Sequence, residues 1–67
     1  MNSVDRLIYM ANQIAANQAM EADPAAATAH HIRRYWDPRM KQQIFAHTGD
    51  GLSPMAVAAV TQLREKM

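Results

Sequence analysis

Residues 30–41 read HHIRRYWDPRMK, and the Asp-Pro pair inside this stretch predicts a break between two helices. Proline disfavours helical backbone at the residue before it, so the helix that arrives from the N-terminal side should stop near Trp36. Pro38 suits the first position of a new helix, and the carboxylate of Asp37 can accept a hydrogen bond from a free N–H of its first turn. The stretch therefore predicts an elbow with almost no linker.

The same pairing of a capping residue with proline occurs twice more, at Asp23-Pro24 and at Ser53-Pro54. Each pair predicts a helix start for the same reasons. Good helix formers are abundant, and β-branched residues never form the run that would indicate a strand. We therefore predict an all-α fold in which residues 1–67 form one helical domain, a small bundle of about four short helices.

Apolar residues spaced three and four apart predict the extent and the inner face of each helix. The first helix should begin near Asn2 or Ser3 and run to about Met20, and the others should cover about 24–36, 38–47 and 54–67. Gly49, in the TGDG segment, is expected to take the left-handed cap position after the third helix. The predicted core stripes are Val4, Leu7, Ile8, Ala11, Ile14 and Ala15; Ala25, Ala29, Ile32 and Trp36; Met40 and Ile44; and Ala56, Val60, Leu63 and Met67.

Length and composition indicate a protein that associates with another chain. A domain of 67 residues buries only about 60% of the surface that its unfolded chain exposes. The sequence contains no cysteine, so neither disulfides nor thiolate metal sites can add stability, and association is the usual remaining remedy. We find no membrane span and no secretory signal, so we expect a cytoplasmic protein that can also self-associate when alone.

Chemistry carried out by the chain itself finds little support. His30 and His31 are adjacent, so on a helix their side chains point about 100° apart, whereas chelation from a helix uses residues three or four positions apart. Asp37 is already explained as a cap, and no nucleophile with its base or pair of carboxylates is visible. We predict no catalytic residue, no metal site and no cofactor of the chain's own.

Nucleic-acid binding has more local support at the elbow than catalysis or metal binding, but less than protein recognition. Residues 33–41 carry four basic side chains and one acid, and the aromatic residues Tyr35 and Trp36 between them could stack on bases. The segment has a charge of +3 but the whole chain only +1, so the rest is net acidic by two. Such a small net positive charge does not favour a nucleic acid as the partner.

Protein recognition is the stronger hypothesis, because Trp, Tyr and Arg are the residue types most enriched at binding hot spots. We expect Tyr35 and Trp36 to pack the angle between the second and third helices, with Trp36 either in the core or in contact with a partner. The three arginines of this stretch are Arg33, Arg34 and Arg39, and none of them is needed to build the fold. The predicted partner-binding residues are Arg33, Arg34, Tyr35, Trp36, Arg39 and Met40. The predicted elbow and cap residues are Asp23, Pro24, Asp37, Pro38, Ser53 and Pro54.

Three segments carry a family resemblance: DRLIYMANQIAAN at 5–17, HIRRYWDPRM at 31–40 and GLSPMAVAAV at 51–60. Together they resemble the delta subunit of cytoplasmic NAD-dependent, molybdenum-containing formate dehydrogenases. The resemblance implies a non-catalytic accessory subunit that binds the alpha subunit, and through it the beta and gamma subunits, to assist assembly, cofactor insertion or stability. It also implies that molybdenum bis-pterin cofactor, iron–sulfur clusters, FMN and NAD belong to those other subunits. The residues alone leave open an independent helical adaptor or homo-oligomer.

Overall fold

The computed structural model describes residues 3–47 and 49–66, and these form four helices without a strand among them. The helices are α1 (Ser3–Asn17), α2 (Pro24–Tyr35), α3 (Pro38–Ala46) and α4 (Pro54–Lys66). The predicted all-α fold is therefore confirmed. The predicted start at Asn2 and the last core position, Met67, lie outside the described residues.

Three of the four helices begin at a proline that follows a capping side chain. The carboxylate of Asp23 accepts a hydrogen bond from the backbone N–H three residues later at 3.1 Å, and the carboxylate of Asp37 does the same at 2.8 Å. The hydroxyl oxygen of Ser53 accepts the equivalent bond at 3.2 Å. Each bond gives a partner to one of the N–H groups that the start of a helix leaves free.

The end of α1 differs from its prediction, since the helix stops at Asn17 and not near Met20. The N–H of Gln18 is shared between the carbonyls of Ile14 at 3.0 Å and Ala15 at 3.2 Å. The next N–H, that of Ala19, donates to the carbonyl three residues back at 3.3 Å. The hydrogen bonding thus tightens from the α pattern to the i−3 pattern that commonly closes a helix.

Gly49 has the expected positive φ, 100°, but it does not cap α3. The C-cap is His47, which has extended backbone and donates its N–H to the carbonyl of Ile44 at 3.2 Å. The carbonyl of Gly49 instead accepts the N–H of Leu52 at 3.1 Å. Gly49 therefore belongs to the turn that leads toward α4.

The core lies where α2 packs against α4, with α1 contacting all three other helices. Side chains at the centre are small, for Ala11, Ala56 and Ala59 are fully buried, and this allows close approach of the helix axes. Ala59 is the one buried apolar residue among the described ones that the predicted stripes missed. The buried apolar residues are Leu7, Ala11, Ala15, Ala29, Ile32, Trp36, Ile44, Ala56, Ala59, Val60 and Leu63.

Within the described ranges one polar side chain, Thr28 of α2, is also fully buried. Its hydroxyl donates to the carbonyl of Pro24 at 2.8 Å, one turn earlier in the same helix. A buried hydroxyl without a partner would be costly, and this bond to its own helix removes that cost. Thr28 can therefore occupy the inner face of α2 next to Ala29.

Candidate partner-binding surface

The elbow between α2 and α3 consists of two adjacent residues, one that caps the end of α2 and one that caps the start of α3. Trp36 is the C-cap of α2 and donates its backbone N–H to the carbonyl of Ile32 at 2.9 Å. Asp37 is the N-cap of α3. Lys41 reaches back from α3 and donates from Nζ to the carbonyl of Arg33 at 2.8 Å. Of these bonds, the one from Lys41 spans the bend and links α3 to the last turn of α2.

Two neighbouring aromatic residues of the elbow have opposite environments. Trp36 is 5% exposed and belongs to the core, whereas Tyr35 is 67% exposed. The ring of Tyr35 packs on its own helix: its centroid lies 4.7 Å from that of His31, and the guanidinium carbon of Arg34 lies 5.8 Å from it. Trp36 thus packs the elbow, while Tyr35, which was expected to share that task, faces outward.

A groove of about 350 Å³ separates α1 from the elbow, and we call it the aromatic groove. Trp36 contributes to its floor, and the two exposed tyrosines, Tyr9 and Tyr35, stand at its sides. The hydroxyl of Tyr9 accepts a hydrogen bond from Nε2 of Gln13 at 3.2 Å. The residues that line the groove are Tyr9, Met10, Gln13, Ile14, His31, Tyr35, Trp36 and Met40.

A second hollow between α1 and α3 continues the aromatic groove, because Met10 and Met40 line both. This adjoining hollow also contains Arg6 and Arg39. Neither lining includes an aspartate or a glutamate. The described surface here is therefore apolar along its centre and basic at one end, and methionine side chains can adapt its shape to a ligand.

The six predicted partner-binding residues do not form a single patch. Tyr35, Trp36 and Met40 line the aromatic groove, and Arg39 lines the adjoining hollow. Arg34 lies against the ring of Tyr35. Arg33 instead lines a different hollow between α2 and α4, because consecutive residues of a helix point in different directions.

The contribution of α1 was not predicted from the sequence. Tyr9 and Met10 had no assigned role, yet Tyr9 is 57% exposed and both residues line the aromatic groove. No specific signal marked either residue, because single exposed apolar residues are common on protein surfaces. The position of Tyr9 opposite the elbow depends on tertiary packing and could not be read locally.

Residues 3–47 and 49–66 contain neither a cluster of metal ligands nor a helix that could span a membrane. No group of three or more histidine, aspartate or glutamate side chains in these ranges is placed to hold a metal ion. Nε2 of His47 lies 2.7 Å from the backbone oxygen of Asp50, a contact within one loop. None of the four helices is both long and apolar enough to cross a bilayer.

The decisive comparison is with a family model that describes the delta subunit, FdsD, of NADH-dependent formate dehydrogenase. It matches residues 6–60. The chain belongs to this family. The match confirms the resemblance noted in the sequence, and it includes every residue that lines the aromatic groove of this delta-subunit chain. Comparisons with curated proteins and with solved structures gave no match.

Proposed function

We propose that this chain is a non-catalytic accessory subunit of a cytoplasmic, NAD-dependent molybdenum formate dehydrogenase. In this proposal it binds the catalytic alpha subunit, and through it the beta and gamma subunits, and it assists assembly, cofactor insertion or stability of the complex. The family match over residues 6–60 carries the proposal. The small size of the chain supports it, because a single thin core leaves stability to be gained from a partner.

The aromatic groove is the surface that we propose for this contact. It presents Tyr9 and Tyr35 as exposed aromatic anchors, and Met40 as an adaptable apolar neighbour. Arg34 and Arg39 lie beside this apolar centre. Tyrosine and arginine around an apolar centre are the composition typical of binding hot spots. Arg33 faces a different hollow and stays a separate predicted contact.

The cofactors of the complex are proposed to reside in the other subunits. Iron–sulfur clusters are held by cysteine thiolates, and this sequence contains no cysteine. The described side chains also offer no cluster of metal ligands. These observations support a chain without a resident cluster or metal, and in the proposal the accessory role consists of contacts with protein.

Co-expression with the dehydrogenase subunits tests the proposal. We expect a tagged wild-type chain to retain the alpha subunit through purification, and we expect omission of the chain to lower the molybdenum content or yield of the enzyme. Arg34→Ala combined with Arg39→Ala should reduce recovery of the alpha subunit, while Gln42→Ala, an exposed position on α3, should not. Circular dichroism of each variant checks that it remains folded.

Two results would overturn the proposal. One is a folded wild-type chain that fails to retain any dehydrogenase subunit. The other is an enzyme with full molybdenum content, yield and thermal stability when the chain is absent. A complex that forms but survives the double arginine substitution would exclude those two arginines as contacts and leave the accessory role in place.

A further inference from the structure

We infer that the aromatic groove receives an acidic amphipathic helix from the partner, with apolar anchors on the face that enters the groove. The inference rests on the proposed function and specifies the chemistry of the segment that the alpha subunit would supply. It depends on three properties of the described surface: the apolar centre of the groove, the sign of the charges beside it, and the all-helical frame that forms it.

The centre of the groove calls for an apolar anchor. Trp36 and Ile14 contribute a buried or half-buried floor, and Met10 and Met40 stand at the junction with the adjoining hollow. Polar groups along the groove are few: the amide of Gln13 is already bonded to Tyr9, and the ring of His31 packs against that of Tyr35. A ligand side chain that enters here would be removed from water mainly against carbon and sulfur atoms, which favours leucine, phenylalanine or methionine.

The charged side chains that line the adjoining hollow or lie over Tyr35 are all basic. Arg6 and Arg39 line the adjoining hollow, and Arg34 lies over the exposed ring of Tyr35. The nearest acid on the elbow, Asp37, accepts the N–H of Met40 as the cap of α3. Electrostatic complementarity therefore favours a ligand with carboxylates next to its apolar anchors, and arginine can bind such carboxylates with two parallel hydrogen bonds.

The frame around the groove favours a helical ligand. Extended peptides commonly bind by adding a strand to a sheet edge, and the described part of the chain contains no sheet. The groove runs between helix surfaces, where the common mode is an amphipathic helix whose anchors repeat every three or four residues. One apolar turn would fill the aromatic groove, and a carboxylate about one turn along would reach Arg6 or Arg39.

A second copy of this chain does not supply such a helix. Neither α2 nor α3 contains an aspartate or glutamate, and α1 and α4 contain one each, Asp5 and Glu65. None of the four described helices can therefore place two carboxylates beside apolar anchors. The partner that fits the charges is another protein.

Charge reversal in the co-expressed complex tests the sign of the partner. Arg39 is the second residue of α3, so a glutamate there faces the positive end of the helix dipole and should leave α3 at least as stable. We expect Arg39→Glu to weaken binding of the alpha subunit by about tenfold or more. Arg64→Glu makes the same charge change on α4, outside the groove and outside the hollow that Arg33 lines, and should leave binding within about twofold of wild type.

Photocross-linking identifies the segment itself. A benzoyl-phenylalanine placed at Tyr9 should cross-link to an alpha-subunit segment that is helical and carries at least two carboxylates among apolar residues. The same group at Thr61, an exposed position on α4 outside the groove, should not label that segment. Peptide mapping of the cross-linked product by mass spectrometry gives the answer.

The outcomes separate this inference from the proposed function. If the wild-type complex forms but Arg39→Glu binds as tightly as Arg64→Glu, the acidic character of the ligand is wrong. If Tyr9 cross-links to a neutral, basic or extended segment, or to a second copy of the chain, the inference is also overturned while the complex stands. If the wild-type chain does not retain the alpha subunit at all, the proposed function fails.

Discussion

The side-chain amide of Asn12 accepts a hydrogen bond from the backbone N–H of Ser53, 41 positions later in the chain, at 2.8 Å. The other end of the same amide donates from Nδ2 to the carbonyl of Gly51, also at 2.8 Å. Ser53 is the residue whose hydroxyl caps α4. A single side chain of α1 therefore fixes the backbone from which α4 begins.

Replacement of Asn12 by alanine should lower the free energy of unfolding by about 1–3 kcal/mol, because two backbone groups of the loop lose their partner. Urea denaturation followed by the fluorescence of Trp36, the only tryptophan, measures the change. Asn17→Ala, at the exposed end of α1, is the matched control and should change stability by less than about 0.5 kcal/mol. Equal losses in the two variants would contradict the role of Asn12.

Gly51 should resist substitution for two reasons that can be separated. Its φ is +87°, and a Cβ added there would lie 3.3 Å from Cγ2 of Ile8. Gly51→Ala should therefore cost about 1–2 kcal/mol of stability. In an Ile8→Ala background the crowding disappears and only the backbone strain remains, so the cost should be smaller. A double-mutant cycle measures this coupling. Strictly additive effects on the free energy of unfolding would show that the Ile8 side chain moves aside without loss of stability.

The cap at the elbow gives a third prediction. Asp37→Ala removes the acceptor for the N–H of Met40 and should destabilise the protein by about 1 kcal/mol. For a domain of this size that loss corresponds to a fall of about 4–8 °C in Tm. Asp37→Asn keeps an acceptor oxygen and should lose much less. A Tm that is unchanged in the alanine variant would argue against the cap.

Substitution of the two aromatic residues of the elbow should affect different properties: stability for Trp36 and partner binding for Tyr35. Trp36→Ala should cost about 3–5 kcal/mol, because a large buried side chain leaves a cavity, and Trp36→Phe should cost less while keeping the fold. Tyr35→Ala should change stability by less than about 1 kcal/mol, yet it should reduce retention of the alpha subunit. Thermal unfolding by circular dichroism and co-purification provide the two measurements. A Tyr35→Ala variant that is unstable but binds normally would reverse the assignment.

Three of the four helix starts were predictable because each depends on two adjacent residues, a capping side chain and a proline. The core was also predictable, since residues such as Leu7, Ile32 and Leu63 repeat at helical spacing. The end of α1 was not, because the residues after Asn17 include good helix formers and no glycine or proline marks the stop. Such an end is decided by tertiary packing, which the local sequence does not contain.

The candidate surface was predictable only in part. Tyr35, Arg39 and Met40 were selected by residue type and by their place at the elbow, but Tyr9 comes from a helix far away in sequence. Asn12 was treated as one more polar residue of α1, although asparagine inside a helix is unfavourable enough to suggest a specific contact. Its partners, Gly51 and Ser53, lie in the loop that follows α3, so they could be identified only from the structure.

The absence of a linker at the elbow has a consequence for affinity. Trp36 ends α2 and Asp37 begins α3, so the distance and orientation between Tyr35 and Met40 are set when the domain folds. A ligand that enters between them does not have to order a loop, and the entropy lost on binding is correspondingly small. A domain of this size can therefore offer a preorganised receptor, whose complex would be long-lived through slow dissociation more than through fast encounter.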